Sequence, residues 1–313
     1  MENTTMENTR TKTTRNSLIL LLTAAIWGMA FVSQSKGMDY MHPFTFNGVR
    51  SLIGAASILV YILISRKIAG DKAAPLDWKL NVKAGLLCGI FLTIASTLQQ
   101  FGIKYTSVGK AGFITTLYII FVPMFGIFLK KKVAPVVWAA AVMAAVGMYL
   151  LCMTESLRLG AGDIMVFLCA IAFAIQIMTV DHYAARIDGA VVSCIQFTVC
   201  GVVCCIGALI WGQPTLGQLQ EGLGALLYAG VLSCGVGYTL QIVGQKGLNP
   251  TVAALIMSLE SVIATISGWI AYKIGFLTTD QTLTARQIAG CVIVFAAVIL
   301  VQLPPEWFRF GKK

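Results

Sequence analysis

Along the chain, apolar residues gather into ten long blocks separated by short polar connections. They do not recur every three to four positions, as they would on one face of a soluble helix. The blocks predict ten membrane-spanning helices: Ser17–Ser35, Phe44–Ile64, Ala84–Ile103, Ala111–Leu129, Val133–Met153, Ala161–Val180, Gly189–Trp211, Gly222–Val243, Thr251–Ile274 and Ile288–Leu303. The ninth is 24 residues long. At about 1.5 Å per residue, that length crosses a hydrocarbon core of about 30 Å. The longest connection, Ser65–Lys83, leaves no room for an independent soluble domain. The expected fold is all-α and integral to the membrane, with polar residues 1–16 and basic residues 304–313 as tails. A basic segment ahead of an apolar block has the look of a secretory signal. Here the block runs on through Trp27 and Phe31 without a small-residue cleavage site, so it reads as an uncleaved first span.

Composition agrees with the pattern: 58% of residues are hydrophobic and 12% charged, against about 25% charged in an average soluble domain. The formal charge of +10 changes the picture only through its placement. No basic stripe is interleaved with aromatics, so nucleic acid is not an expected partner. Loops on the side of the termini hold 16 Lys and Arg, the opposite loops hold 6, and Arg50 lies inside a span. Positive charge collects on the cytoplasmic side, which predicts a plasma-membrane protein with both termini in the cytoplasm; most of the bias comes from the first half. Nine cysteines are scattered through the apolar blocks without a C-x-x-C, beside only two histidines, His42 and His182. Cys200 and Cys204 share a helix face. These thiols read as small packing residues, and neither a metal, a cofactor nor a disulfide framework is expected.

The two halves echo each other. Leu98-Gln99-x-x-Gly102-x-Lys104 is matched by Leu240-Gln241-x-x-Gly244-x-Lys246, and the step from Pro43 to Arg50 has the length of the step from Gly189 to Gln196. Between spans four and nine the match is looser, because Leu117 to Pro123 and Leu255 or Leu259 to Ser261 differ by about one helical turn. Five spans per half is an odd number, so the halves must insert with opposite orientation. Inverted repeats of this kind place a substrate site near the midplane, where the halves meet, and alternate access to it by rocking.

Ala25-Ile26-Trp27-Gly28, Gln100-Phe101-Gly102-x-x-Tyr105-Thr106-Ser107, Phe121-Val122-Pro123 and Ser258-Leu259-Glu260-Ser261 stand in order across the ten spans. In this they resemble the EamA family of the drug/metabolite transporter superfamily. The resemblance covers residues 17–153 and 161–303, one repeat each. It implies a ten-helix secondary transporter with a cavity between two inverted five-helix repeats, often exporting amino acids or other small metabolites. Two features depart from that family: Leu129-Lys130 and Gly275-Phe276 stand where members often carry Gly-Glu, and Ser261 stands in place of a proline.

Glu260 is the first candidate for chemistry. A carboxylate in mid-span costs about 2.5–3.5 kcal/mol on insertion scales and usually faces a cavity or partner. It is read as a proton-coupling group or a contact for a substrate cation, against a structural carboxylate bonded to a neighbouring helix. Arg50 could clamp a substrate carboxylate or pair with Glu260. About 9 Å into span two, it could equally snorkel to the headgroups. Asn47, one turn earlier, shares its face. Gln99, Gln100, Gln176, Gln196 and Gln241 are buried amides that either line a wet cavity or join helices, with Gln99 and Gln241 related by the repeat. Trp27, Tyr118, Tyr238 and Trp269 could stack on a substrate or serve as packing and interface anchors.

The expected function is a secondary transporter, an exporter of an amino acid, amine or related metabolite, with protons as a candidate coupling ion and the bilayer as its partner surface. A monomer or homodimer would serve. A channel or small-molecule-sensing membrane receptor is the alternative class. An intramembrane enzyme finds no Ser with a buried His, no paired Asp residues and no long catalytic loop.

Overall fold

Polar residues at the span boundaries start the helices. Asp77, Ser107, Asp188 and Asn249 each accept a backbone N–H in the first turn of the helix that follows, and His42 Nδ1 does the same for Phe44 ahead of Pro43, satisfying donors that a helix N-terminus leaves open. The computed structural model describes residues 2–70, 75–129, 133–152, 160–278, 280 and 282–302. Lys72, Lys130, Lys131, Lys132, Arg158, Arg309, Lys312 and Lys313, which enter the topology count, lie outside the described residues, as do Met153, Leu303 and the tail 304–313.

The helices are α1 (Glu2–Gly37), α2 (Pro43–Ala69), α3 (Trp78–Ile103), α4 (Val108–Phe128), α5 (Pro135–Cys152), α6 (Ala161–Tyr183), α7 (Gly189–Gly212), α8 (Leu223–Gln245), α9 (Pro250–Lys273) and α10 (Ala285–Gln302). A short helix, Leu216–Glu221, sits between α7 and α8. The chain is all-helical, with no strand among the described residues. Over the described residues, eight of the helices, all but α5 and α10, are long and apolar enough to cross a membrane; α5 and α10 have 18 residues each. The first helix departs from the sequence expectation, for it begins at Glu2, so the polar segment before Ser17 continues the span as one rod.

The packing has a pattern. α2 lies against α7, α5 against α10 and α4 against α9. The remaining large contacts come in pairs that exchange when the two halves are exchanged: α3 on α6 with α8 on α1, α3 on α7 with α8 on α2, and α1 on α9 with α6 on α4. Glycines set the closest crossings. At Gly54 a Cβ would stand 2.6 Å from Cys234 Cβ, and at Gly230 one would stand 2.9 Å from the Arg50 carbonyl, so α2 and α8 touch backbone to backbone beside Arg50. Their approach depends on absent side chains. Opposite α2, residues Tyr228–Gly237 of α8 are wound as a π-helix, a rare geometry that is frequent at functional sites.

α4 and α9 are each interrupted once. α4 tightens at Leu117, between Val108–Thr116 and Tyr118–Phe128; α9 tightens at Ser258, between Pro250–Met257 and Leu259–Lys273. Hydroxyls bonded back onto the helix mark both places: Thr116 Oγ1 to the Phe113 carbonyl at 2.8 Å, and Ser258 Oγ to the Leu255 carbonyl at 2.7 Å. Such back-bonding bends helices. The interval between the halves, loose in the sequence here, is constant at the helix starts. The caps Ser107 and Asn249 and the helix starts Val108 and Pro250 keep the spacing of Gln99 and Gln241.

Candidate functional site

Where the interrupted helices meet α1, α2, α3, α6 and α8, a cavity of about 30 Å³ lies among buried side chains. That volume holds a water or two rather than a metabolite. Its wall includes Glu260, Arg50, Trp27, Gln99, Tyr118, Gln176, Tyr238 and Gln241, so eight of the candidates from the sequence converge on one space. Asn47, Gln100 and Gln196 stand behind it, and Trp269 is not in the wall.

Arg50 does not snorkel. It is 5% exposed, its Nε donates to Asn47 Oδ1 at 2.9 Å, and its guanidinium lies 5.4 Å from the centre of the Phe46 ring. Asn47 is held in turn, donating to Ser96 Oγ at 3.1 Å and to Cys204 Sγ at 3.6 Å. Asn47 therefore fixes the Nε side of the cation, whose side chain lines the cavity. Among the described residues no carboxylate forms an ion pair with Arg50; the ion pairs there are Lys36–Asp39 and Lys110–Asp163.

Glu260, 4% exposed, follows the turn at Ser258. Tyr118, which follows the turn at Leu117, donates its hydroxyl to Glu260 Oε1 at 3.0 Å, and the two residues are 142 positions apart. Gln99 and Gln241 are separated by the same interval.

The amides divide into two sets. Gln241 Nε2 donates to Gln176 Oε1 at 3.2 Å, and Gln176 Nε2 to Gln196 Oε1 at 3.5 Å, a chain from cavity wall to α7. On the other side Gln99 Nε2 donates to Thr115 Oγ1 at 3.2 Å, and Gln100 Nε2 to the Gln34 carbonyl at 3.2 Å. Gln100 and Gln196 thus act as helix-joining groups, one of the two readings open from sequence. Three buried polar atoms on residues of the wall have no protein partner: Trp27 Nε1, Gln34 Oε1 and Gln241 Oε1. An unbonded buried donor or acceptor costs about 1–3 kcal/mol, so these atoms are prepared for water or ligand. Tyr238 closes one side, with its ring 4.5 Å from that of Trp27 and 4.9 Å from that of Phe197.

Sequence reasoning missed Gln34, Ser51, Ser96, Thr115 and Phe197 of the wall. Gln34 had a signal: it precedes Gln176 by the same interval that separates Gln99 from Gln241. The described cysteines are free thiols. Outside the spans, burial and then the nearby Lys104 hold the His42 imidazole below its ordinary range.

A bundle of apolar helices around a small cavity lined by polar side chains is the architecture of a multi-pass membrane protein. Residues 15–153 and again 160–303 match the EamA-like transporter family. The chain belongs to that family and is a membrane transporter. Among its relatives, an "Uncharacterized transporter" of Archaeoglobus fulgidus is 27% identical over 291 residues, covering 91% of this chain and 84% of that protein. The "Uncharacterized transporter YwfM" of Bacillus subtilis is 24% identical, covering 93% of this chain and 94% of that protein. A solved structure described as "Crystal structure of protein" shares the fold, with a TM-score of 0.73 at 16% identity over 95% of this chain and 99% of that one.

Proposed function

We propose that this chain is a secondary carrier of ten spans in two inverted five-helix repeats, exporting a small metabolite that bears a carboxylate, an amino acid or a related compound, across the cytoplasmic membrane. One observation carries the substrate reading: Arg50 is buried in the cavity wall without a carboxylate partner among the described residues, although Glu260 lines the same cavity. A buried cation without a counter-ion is costly. A substrate carboxylate on Arg50, with its amine toward Glu260 and the open amide oxygens of Gln34 and Gln241, satisfies both ends.

The carrier reading is supported by the exchange of packing partners between the halves and by the enclosure of the cavity. One end of the bundle is also clasped: Lys110 Nζ meets Asp163 Oδ2 at 2.6 Å, and Thr106 Oγ1 donates to Asp163 Oδ1 at 2.9 Å. Rocking of the halves would open this clasp and admit solute from one side at a time. Glu260 is the candidate group for coupling to protons, both termini lie in the cytoplasm, and a monomer holds a complete site.

The test is counterflow in proteoliposomes beside a thermal-shift panel of amino acids, amines and organic acids. A ligand at 100 times its dissociation constant stabilises by about 2.7 kcal/mol. Arg50→Lys should weaken protection by acids and amino acids far more than by amines, since Lys cannot make the bidentate contact. Equal losses for all three would assign Arg50 to packing. Conductance without saturable exchange would replace the carrier with a channel.

A further inference from the structure

A second cavity, of about 590 Å³, opens where α2 and α8 end and α3 and α7 begin. It shares no lining residue with the central one. Three cationic side chains reach it, Arg66, Arg186 and Lys246, and so do two carboxylates, Asp77 and Asp188. Each carboxylate has one oxygen turned to a helix start, and Arg186 Nη2 reaches the His182 carbonyl at 3.4 Å. Asp77 Oδ1 accepts from the Leu80 N–H at 2.9 Å, and Asp188 Oδ1 from the Ala190 and Val191 N–H groups at 2.9 and 3.1 Å.

The floor is built in advance. Asn81, 1% exposed, donates to the Asp77 carbonyl at 2.8 Å and accepts from the Asp188 N–H at 2.9 Å. Lys246 Nζ reaches the Ile187 carbonyl at 3.3 Å, fixing the end of α8 to the same turn. The cleft therefore presents cations on a rigid frame rather than on free loops. Its other wall is apolar, Tyr61 and Ile62 of α2 with Val243 of α8. Tyr61 and, beside the cleft, Leu63 and Ile64 are largely exposed on the outer face of the bundle, and Trp78 is exposed in the first turn of α3. Aromatics at helix ends mark the depth of lipid headgroups.

We propose that this cleft binds a phosphate-bearing anion, supplied as the headgroup of an anionic phospholipid whose acyl chain lies along the Tyr61–Ile62 wall. Arg186 and Lys246 hold the phosphate. Basic pockets between spans take anionic headgroups, and guanidinium presents paired donors to phosphate oxygens. The occupant is an amphiphile because the cleft is cationic at the helix ends and apolar beneath them.

The experiment uses the full chain in phosphatidylcholine nanodiscs with and without phosphatidylglycerol, and with inorganic phosphate in place of the anionic lipid. Retained lipid is counted by native mass spectrometry and the melting temperature is read alongside. The wild type should retain phosphatidylglycerol and melt higher with it. Arg186→Gln with Lys246→Gln should bind it about 30-fold more weakly, the change expected from two surface cations, and should lose the rise in melting temperature between phosphatidylcholine alone and phosphatidylglycerol, whatever the lost Lys246–Ile187 bond does to both values. Lys79→Gln with Lys83→Gln removes the same charge from the same end without touching the cleft and should leave retention as it was. Protection by inorganic phosphate that the first double variant abolishes would support the anion site with a soluble source. Equal losses in both double variants, or none in the first, would overturn it.

Discussion

Gly28 holds α1 against α9 at the level of Glu260, and adding one methyl group there tests whether that crossing positions the site. A Cβ on Gly28 would stand 2.6 Å from Ile263 Cβ and 2.8 Å from the Glu260 carbonyl oxygen. Carbon atoms rest at about 3.5–4.0 Å, so Gly28→Ala must part the two helices by about 1 Å. Overpacking of this kind costs about 1–3 kcal/mol. At about 2–4 °C per kcal/mol for a large domain, the melting temperature in detergent should fall by about 2–12 °C. Because the displaced segment carries the acceptor of the 3.0 Å Tyr118–Glu260 bond, protection by any substrate should fall as well. Gly217→Ala is the matched control: it lies in the short helix Leu216–Glu221 with nothing within 4 Å of its Cβ, where alanine is neutral or stabilising by about 0.5–1 kcal/mol. A Gly28→Ala protein that melts with the wild type, or a control that falls equally, would refute the reasoning.

Two more outcomes are expected. Tyr118→Phe leaves Glu260 Oε1 without its donor and should cost about 1–3 kcal/mol; added to Glu260→Ala it should cost much less, and strict additivity in denaturant unfolding would mean that the bond contributes nothing. For His42, the folded chain keeps the imidazole neutral where the unfolded chain already takes a proton, so stability is full above the ordinary value of 6.5 and is lost as pH falls below it. His42→Asn, which keeps a cap for Phe44, should flatten that acid limb of the melting profile, and parallel profiles for the two proteins would remove His42 as the cause.

The blocks of apolar residues located the helices because a bilayer demands length and hydrophobicity, and both are written locally. What was not legible depends on distant contact. From α2 alone, Arg50 at about 9 Å depth fits headgroup or cavity equally; only Asn47, held by Ser96 of α3 and Cys204 of α7, turns it inward. The turns at Leu117 and Ser258 carry neither glycine nor proline, and the hydroxyls that accompany them are common in spans. Without those turns the fourth and ninth spans slip by a turn in alignment, which hid the pairing of Tyr118 with Glu260. The π-helical stretch of α8 left only Gly230, Gly235 and Gly237 as a trace, and those read equally well as packing residues.

The Tyr118–Glu260 bond has a consequence for how such a chain could arise. On the proposed two-fold relation the two residues stand in for one another, so in a pair of identical subunits each would meet its own copy. Two ionised carboxylates at 3.0 Å would repel; a tyrosine and a glutamate attract. Fusion of the halves into one polypeptide lets them diverge at this contact while the packing around it stays matched. A single acidic group on the axis is then equidistant from both mouths, and one residue can meet solutes arriving from either compartment.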